Sequence, residues 1–174
     1  MTANIVFISG GPCTGKTAVI NQLQKQGHEI IPEAARRIAE KKFPGKSIAE
    51  IDKRIFHDEI FRMQKDKVEF LKNTNKIVFS DRGFGDTVAY YRINLLDVPR
   101  DNFEYAKRFN YAKVFILESL KFYKKDLLRQ ESKEELEKIQ AEIVRAYREL
   151  GYSIINVPFM SIEKRAKFIL KKTK

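Results

Sequence analysis

The sequence has few of the features that mark secreted, membrane or disulfide-stabilised proteins. Its single cysteine, Cys13, excludes an intramolecular disulfide and is typical of a reducing compartment. No apolar run approaches the roughly 18 to 20 residues that a membrane-spanning helix needs. No basic leader with a cleavage site precedes the apolar run that begins at Ile5. We therefore expect a cytoplasmic protein without a transmembrane segment.

Internal repeats, linkers and low-complexity stretches are also missing. The 174 residues fall within the size range of one domain and are enough to bury a hydrophobic core. The composition, 43% hydrophobic and 33% charged, is that of a globular protein with a highly charged surface. We expect residues 1–174 to form a single domain.

Positive charge is abundant but lacks the pattern of a nucleic-acid-binding protein. The formal net charge of +11 attracts polyanions in general. Basic residues alternate with acidic ones along the predicted helices, and no stretch interleaves basic with aromatic residues. The pattern argues against nucleic acid and leaves anionic lipid and small phosphorylated molecules as candidate partners. The densest basic run, 164–174, is expected to be a solvated helix face.

The most specific motif is Gly10–Thr17, which fits the phosphate-binding pattern G-x-x-x-x-G-K-S/T at every position. The apolar run Ile5–Ile8 precedes it and a helix-compatible segment follows, as the motif requires. Gly10 and Gly15 permit backbone conformations that a side chain would block, so successive N–H groups can surround phosphate oxygens. The following helix turns its positive dipole end towards the anion.

The motif also indicates a role for the side chains of this loop. Lys16 supplies a positive charge to the phosphates, and Thr17 offers a hydroxyl to a magnesium ion. Cys13 is better explained as a small side chain that fills a loop position than as a redox-sensitive thiolate. We predict that the nucleotide contacts the loop residues Gly10, Gly11, Cys13, Thr14, Gly15, Lys16 and Thr17.

Short apolar segments alternate with helical ones along the chain. Strands are predicted at residues 4–9, 28–31, 76–80, 112–117 and 152–157. Capping-box sequences at 47–50 and 132–135 predict helix starts, and the first of these helices is expected to reach Asn73. Strands separated by helices predict an α/β fold, a three-layer sandwich around a five-stranded parallel sheet.

Ligands of such sheets bind beyond the carboxyl ends of the strands, where four polar clusters should meet. Apart from the phosphate loop, these clusters are Glu33 with Arg36, Asp81 with Arg82, and Pro158. Glu33 and Arg36 form either an exposed ion pair on one helix or part of an acceptor site. In the acceptor site, Glu33 accepts hydrogen bonds from substrate hydroxyls, and Arg36 or Arg37 binds an anionic group.

Asp81 carries a stronger signal because it directly follows an apolar strand in a protein with a phosphate loop. It is placed either to bind magnesium or to take a proton from an attacking hydroxyl. Arg82 beside it can bind a phosphate or a sugar. Asp86 is the better candidate to cap the next helix. His57 is expected to be a surface or packing residue.

A cationic segment separates the fourth strand from the helix predicted after residue 132. An arginine on a mobile segment can complete a phosphoryl-transfer site when that segment closes. We predict this role for Arg129, in contact with the transferring phosphoryl group or the nucleotide base, and a nucleotide contact for Pro158.

Together these motifs resemble the P-loop ATPase/kinase family that includes the ribosylnicotinamide kinase domain of NadR. The residues that carry the resemblance are Gly10–Thr17, 32–36, 81–83 with Asp86, Asp126 with Arg129, and 147–152. Many families share the phosphate loop. Far fewer combine it with the sequence E-A-x-R after strand two and D-R-G after strand three, so this combination is the more specific signal. The resemblance implies a nucleoside- and nucleotide-kinase-like fold with sheet order 2-3-1-4-5 and a lid at residues 119–132.

Two functional hypotheses follow. The first is a kinase that uses Mg²⁺, held by Thr17 and Asp81, to move the γ-phosphoryl group of ATP or GTP to a nucleoside, nucleotide or vitamin-like acceptor. The acceptor is expected to contact Glu33, Arg36 and Arg82. The second is a nucleotide-dependent switch that slowly hydrolyses ATP or GTP and acts on a protein partner or anionic lipid. The guanine-reading sequence N-K-x-D does not occur, which weighs against the second hypothesis.

Overall fold

In the computed structural model, residues 3–118 and 132–173 are described. These residues form five strands: β1 (Ala3–Ser9), β2 (Glu29–Ile31), β3 (Val78–Asp81), β4 (Tyr111–Leu117) and β5 (Ile154–Val157). They also form seven α-helices: α1 (Lys16–Lys25), α2 (Ala34–Lys42), α3 (Lys53–Leu71), α4 (Phe84–Ile93), α5 (Arg100–Arg108), α6 (Lys133–Glu149) and α7 (Ile162–Thr173). Among the described helices, none combines the length and apolar character needed to cross a bilayer.

The sheet has the strand order β2-β3-β1-β4-β5, and each neighbouring pair of strands is parallel. Ile8 of β1 pairs with Asp81 of β3 on one side and with Phe115 of β4 on the other. The carboxyl ends of the central strands therefore lie together at one rim. The strand order and the three-layer α/β architecture confirm the predicted fold.

Apolar side chains cover both faces of the sheet. Ile5 and Phe7 of β1 pack in a cluster with α3, α4, α5 and α6, whereas Val6 and Ile8 pack in a second cluster with α1 and α7. All four side chains are at most 1% exposed. A parallel strand buried on both faces needs apolar residues at every position, which explains why this segment is continuously apolar.

The helix predicted to begin at residue 47 is interrupted. The capping box closes only a short 3-10 turn at Ile48–Glu50. Ile51 is extended and buried in a third apolar cluster, between α2 and α3. Helix α3 begins directly after Asp52, whose carboxylate accepts a hydrogen bond from the Ile55 N–H at 2.9 Å. Apolar spacing continues through the break, so periodicity alone predicted one long helix.

Candidate active site

The phosphate loop leaves β1 and leads into α1. Gly10 has a φ of 139°, and a Cβ at this position would lie 2.9 Å from the Leu117 carbonyl oxygen. Conformation and space therefore both require glycine here. Cys13 adopts a left-handed conformation with a φ of 61°. Such strained non-glycine residues are concentrated at ligand-binding loops.

Lys16 folds over the phosphate loop. Its Nζ donates to the carbonyl oxygens of Gly10 at 2.7 Å and Gly11 at 2.6 Å. Burial lowers the pKa of Lys16 to about 8, and the positive charge of Arg82 acts in the same direction. Neutral carbonyls compensate the ammonium only in part, so the loop favours an anionic ligand.

Asp81 ends β3 near Lys16 and is 7% exposed. Burial raises its pKa to about 6, and the negative charge of Glu33 contributes to the increase. Asp81 and the exposed hydroxyl of Thr17 line one cavity of about 500 Å³, which also contains Glu33 and Arg36 and which we call the rim cavity.

The rim cavity offers oxygen ligands of the kind that Mg²⁺ prefers. A carboxylate crowded by a second carboxylate gains from a nearby cation, and the Thr17 hydroxyl shares the cavity with Asp81. No group of three or more His, Cys, Asp or Glu side chains suited to a metal occurs in the described ranges. Mg²⁺ usually keeps few protein ligands beside water and substrate phosphates, so this donor set fits it.

Arg82 joins the clusters that follow β2 and β3. Its Nε donates to Glu33 at 2.7 Å, and Nη1 donates to Asp86 at 3.1 Å. Its backbone is left-handed, with a φ of 70°, and its guanidinium lies 5.4 Å from the centre of the Tyr90 ring. The ion pair found for Glu33 is thus with Arg82 across two elements, rather than with Arg36 on its own helix.

Asp86 is 1% exposed and accepts three further hydrogen bonds. The donors are Ser9 Oγ at 2.7 Å, the Gly83 N–H at 3.0 Å and the Tyr147 hydroxyl at 2.8 Å. The bond from Gly83 caps α4. Asp86 therefore caps this helix from its third residue and not from the N-cap position, because Gly83 and Phe84 extend the helix backwards beyond the predicted start.

The other predicted residues lie at three different places. Arg36 is exposed on α2 at the rim cavity. Pro158 lies between β5 and α7, and its carbonyl oxygen accepts a hydrogen bond from Arg165 at 3.2 Å. Arg129 and the predicted lid, apart from Ser132, lie outside the described residues.

Arg165 is a site residue that the sequence analysis missed, because it lies in the basic run expected to be solvated. It is 2% exposed and donates to the carbonyl oxygens of Thr14 at 2.6 Å and Glu118 at 3.2 Å, besides that of Pro158. It therefore connects the phosphate loop to the ends of β4 and β5. Its one sequence signal is that it lies four residues before the buried Ile169, on the apolar face of α7.

A second cavity of about 430 Å³ lies between α2, α3 and α4, and we call it the helix cavity. Glu33 and Arg82 line it, so Glu33 borders both cavities. Gln64 Oε1 accepts a hydrogen bond from Thr87 at 2.8 Å in its wall. His57 also lines this cavity. It is 5% exposed and its Nδ1 has no partner among the described residues, so it is not the surface or satisfied packing residue that we expected.

The sequence matches a family model over most of its length. The AAA domain model covers residues 5–165. The chain belongs to the AAA domain family. No curated protein shows significant sequence similarity to it.

Solved structures share the fold of this AAA domain at low sequence identity. The NadR protein in complex with NR has a TM-score of 0.73 and 17% identity, covering 98% of this chain and 51% of that chain. This chain thus spans about half the length of that protein. Deoxyadenosine kinase from M. mycoides has a TM-score of 0.63 and 14% identity over 97% of both chains.

The match to thymidylate kinase from Ehrlichia chaffeensis covers 100% of both chains, with a TM-score of 0.69 and 11% identity. These similarities show that the AAA domain has the fold of nucleoside-kinase-like P-loop NTPases. The resemblance stated from the motifs is confirmed.

Proposed function

We propose that the protein is a small-molecule kinase that transfers the γ-phosphoryl group of ATP or GTP to a nucleoside, nucleotide or vitamin-like acceptor with the help of Mg²⁺. The observation that carries this proposal is the position of Glu33 at the border of the two cavities. A donor at the phosphate loop and an acceptor in the helix cavity would meet at this carboxylate.

The phosphate loop supplies the donor site of the proposed reaction. Lys16 and the N–H groups at the start of α1 offset the phosphate charge. Thr17 and Asp81 would hold Mg²⁺, which, when bound, neutralises charge on the β- and γ-phosphate oxygens. We assign Asp81 to the metal because burial, together with the negative charge of Glu33, raises its pKa, and a nearby cation would favour the charged carboxylate.

With Asp81 assigned to the metal, Glu33 is the carboxylate that would bind the acceptor hydroxyl. As the acceptor oxygen bonds to the γ-phosphorus and the bond to the β-phosphate oxygen breaks, Glu33 takes the hydroxyl proton. Its bond to Arg82 holds the carboxylate in place at 2.7 Å. Arg36 lines the rim cavity and would contact an anionic group of the acceptor that extends past Glu33, whereas Pro158 and Arg129 would contact the nucleotide.

Proteins with the same fold support a small acceptor, although they differ in which one. One solved NadR structure contains NR, and one of deoxyadenosine kinase contains dCMP and dCDP. Another protein with this fold is shikimate kinase from Aquifex aeolicus, at 17% identity and a TM-score of 0.59. The helix cavity supplies a separate space for such a molecule.

The test is transfer of label from γ-³²P-ATP or γ-³²P-GTP with Mg²⁺ across pooled nucleosides, nucleotides and vitamins, with the Lys16→Ala protein alongside. A labelled product that depends on Lys16 supports the kinase, and splitting the active pool identifies the acceptor. Label released only as free phosphate, or tight nucleotide binding without turnover, contradicts the kinase. Those results favour the nucleotide-dependent switch acting on a protein partner or anionic lipid.

A further inference from the structure

Helix α6 lies directly against the start of the phosphate loop. A Cβ built on Gly11 would lie 3.1 Å from Gln140 Oε1 and 3.5 Å from the Leu136 carbonyl oxygen, and both neighbours belong to α6. Gly11 stands at a position that the phosphate-binding pattern leaves open, so the pattern itself does not require glycine here. The close approach of α6 accounts for the glycine at this position.

Gln140 makes two hydrogen bonds from this helix. Its Oε1 accepts from the Gly11 N–H, and its Nε2 donates to the Leu117 carbonyl oxygen at 3.2 Å. An N–H group can only donate and a carbonyl oxygen can only accept, so these two partners fix which end of the side-chain amide faces each of them. Leu117 ends β4 and is buried. The Gln140 side chain is therefore anchored to the sheet and presents its oxygen to the phosphate loop.

The bond to Gln140 also fixes a carbonyl group that Lys16 contacts. The Gly11 N–H belongs to the same peptide group as the Gly10 carbonyl, which accepts a hydrogen bond from Lys16 Nζ at 2.7 Å. A peptide group is planar, so a partner on the N–H also sets the direction of the carbonyl oxygen. Glycines on both sides of this peptide group would otherwise let it rotate with little steric resistance.

We propose that Gln140 is a positioning residue for nucleotide binding. It holds the peptide group that follows Gly10 and, through this group, keeps Lys16 placed to receive phosphates. In this role Gln140 acts through the loop and not by contact with the nucleotide. It restricts the conformations of the free loop, so less order has to be imposed when a phosphate binds. The proposal concerns nucleotide binding and holds whether or not a phosphoryl group is transferred.

Gln140→Met tests this role, because methionine has nearly the same length but lacks both the amide acceptor and the amide donor. Two control variants lie on the same helix. Lys138→Met changes an exposed side chain. Ile143→Val removes one methylene group from a fully buried side chain, and it shows what a destabilised α6 does to binding without a change at the loop.

Calorimetry with Mg-ATP and with Mg-pyrophosphate measures the effect. Pyrophosphate has no base or sugar, so a defect in the phosphate loop should weaken both ligands equally. We expect Gln140→Met to bind each ligand about five- to twentyfold more weakly than the wild type, and both controls to stay within about twofold. Unchanged affinity in Gln140→Met, a loss confined to ATP, or an equal loss in Ile143→Val would overturn the proposal. A wild type that binds neither ligand would overturn it too, because the loop would then bind no phosphate.

The amide signal of Gly11 gives a second readout, which a general loss of stability would not produce. In ¹⁵N-labelled wild type this N–H should lie downfield and exchange slowly with solvent, and both features should be lost in Gln140→Met but kept in the controls. The remaining amide signals show whether each variant is folded. A Gly11 signal that is the same in Gln140→Met and the wild type would mean that this side chain does not hold the loop. The expected binding pattern in a protein that transfers no label would contradict the kinase alone.

Discussion

Lys16 and Asp81 are both buried in ways that favour their neutral forms. Burial lowers the pKa of the lysine to about 8 and raises that of the aspartate to about 6. These shifts mean that each charged form lacks full compensation in the free protein. A triphosphate beside Lys16 and a cation beside Asp81 would restore both charges. The two side chains are therefore suited to binding charged ligands, and their charged forms do not stabilise the fold of the free protein.

Nucleotide affinity should fall as the pH rises above about 8, because only the protonated form of Lys16 attracts phosphate. A bound phosphate raises the pKa of Lys16, so binding takes up a proton in this range. Titration with a fluorescent ATP analogue should show a loss approaching tenfold per pH unit from about pH 8 upwards. The Lys16→Ala protein should bind weakly and lack this pH dependence. An identical slope in both proteins would contradict the role of Lys16.

Asp81→Asn should stabilise the protein while abolishing phosphoryl transfer. The folded-state pKa of about 6 lies above the ordinary 3.8, so ionisation of Asp81 destabilises the folded state as the pH rises through this interval. At neutral pH, the substitution should raise the free energy of unfolding by about 1–3 kcal/mol. The difference should vanish below about pH 4, where the aspartate is protonated in both states.

Urea unfolding at both pH values measures this difference. Asp66→Asn is a matched control, because Asp66 is exposed on α3. A loss of stability in Asp81→Asn at both pH values would mean that this carboxylate stabilises the fold. It would contradict the inference that burial and the nearby Glu33 make its charged form unfavourable.

At the scale of elements, the start of α3 shows how local sequence and packing divide their roles. The box at Ser47 is satisfied, but its turn ends where Ile51 enters the cluster between α2 and α3. The helix restarts at the Asp52 cap. The central strands β1, β3 and β4 were easier to predict because strands that are buried on both faces are apolar at successive positions. The break in the helix could not be predicted from apolar periodicity, because Ile51 is buried by residues of α2 and α3 that the periodic pattern does not reveal.

Asp52→Ala should lower the free energy of unfolding by about 1 kcal/mol, because it removes the cap of the long helix α3. Ser47→Ala should lower the free energy of unfolding by less, about a few tenths of a kcal/mol, because its capping box closes only an exposed turn. Urea unfolding of the two variants measures both values. Equal losses, or a larger loss for Ser47→Ala, would mean that the predicted helix start at residue 47 carries more stability than the structure indicates.

At the scale of the molecule, Arg165 connects parts of the chain that lie far apart in sequence. Its guanidinium donates hydrogen bonds to the carbonyl oxygens of Thr14, Glu118 and Pro158. These residues lie in the segments that follow β1, β4 and β5. This holds the phosphate loop against the segment that enters the predicted lid. Helix α7 thus helps to hold the phosphate loop in place through Arg165.

Arg165→Met should lower the free energy of unfolding by about 2–4 kcal/mol, because it leaves the buried carbonyl oxygen of Thr14 unpaired and removes two further bonds, to the carbonyl oxygens of Glu118 and Pro158. It should also weaken binding of a fluorescent ATP analogue, since the Thr14 carbonyl loses its support. Lys167→Met is the matched control, because Lys167 is an exposed cation on the same helix and should change neither quantity. Normal nucleotide affinity in Arg165→Met at a temperature where it stays folded would limit Arg165 to stability.

The sequence alone determined the phosphate loop, the alternation of strands and helices, and the rim where Glu33 and Asp81 lie, because these depend on local patterns and on the rule for parallel sheets. Sheet order followed from the resemblance to a family. Only the tertiary structure decided that Glu33 pairs with Arg82 and that Arg165 and His57 are buried. These features depend on side chains from different elements meeting in space, and burial of a polar residue depends on neighbours that are distant in sequence.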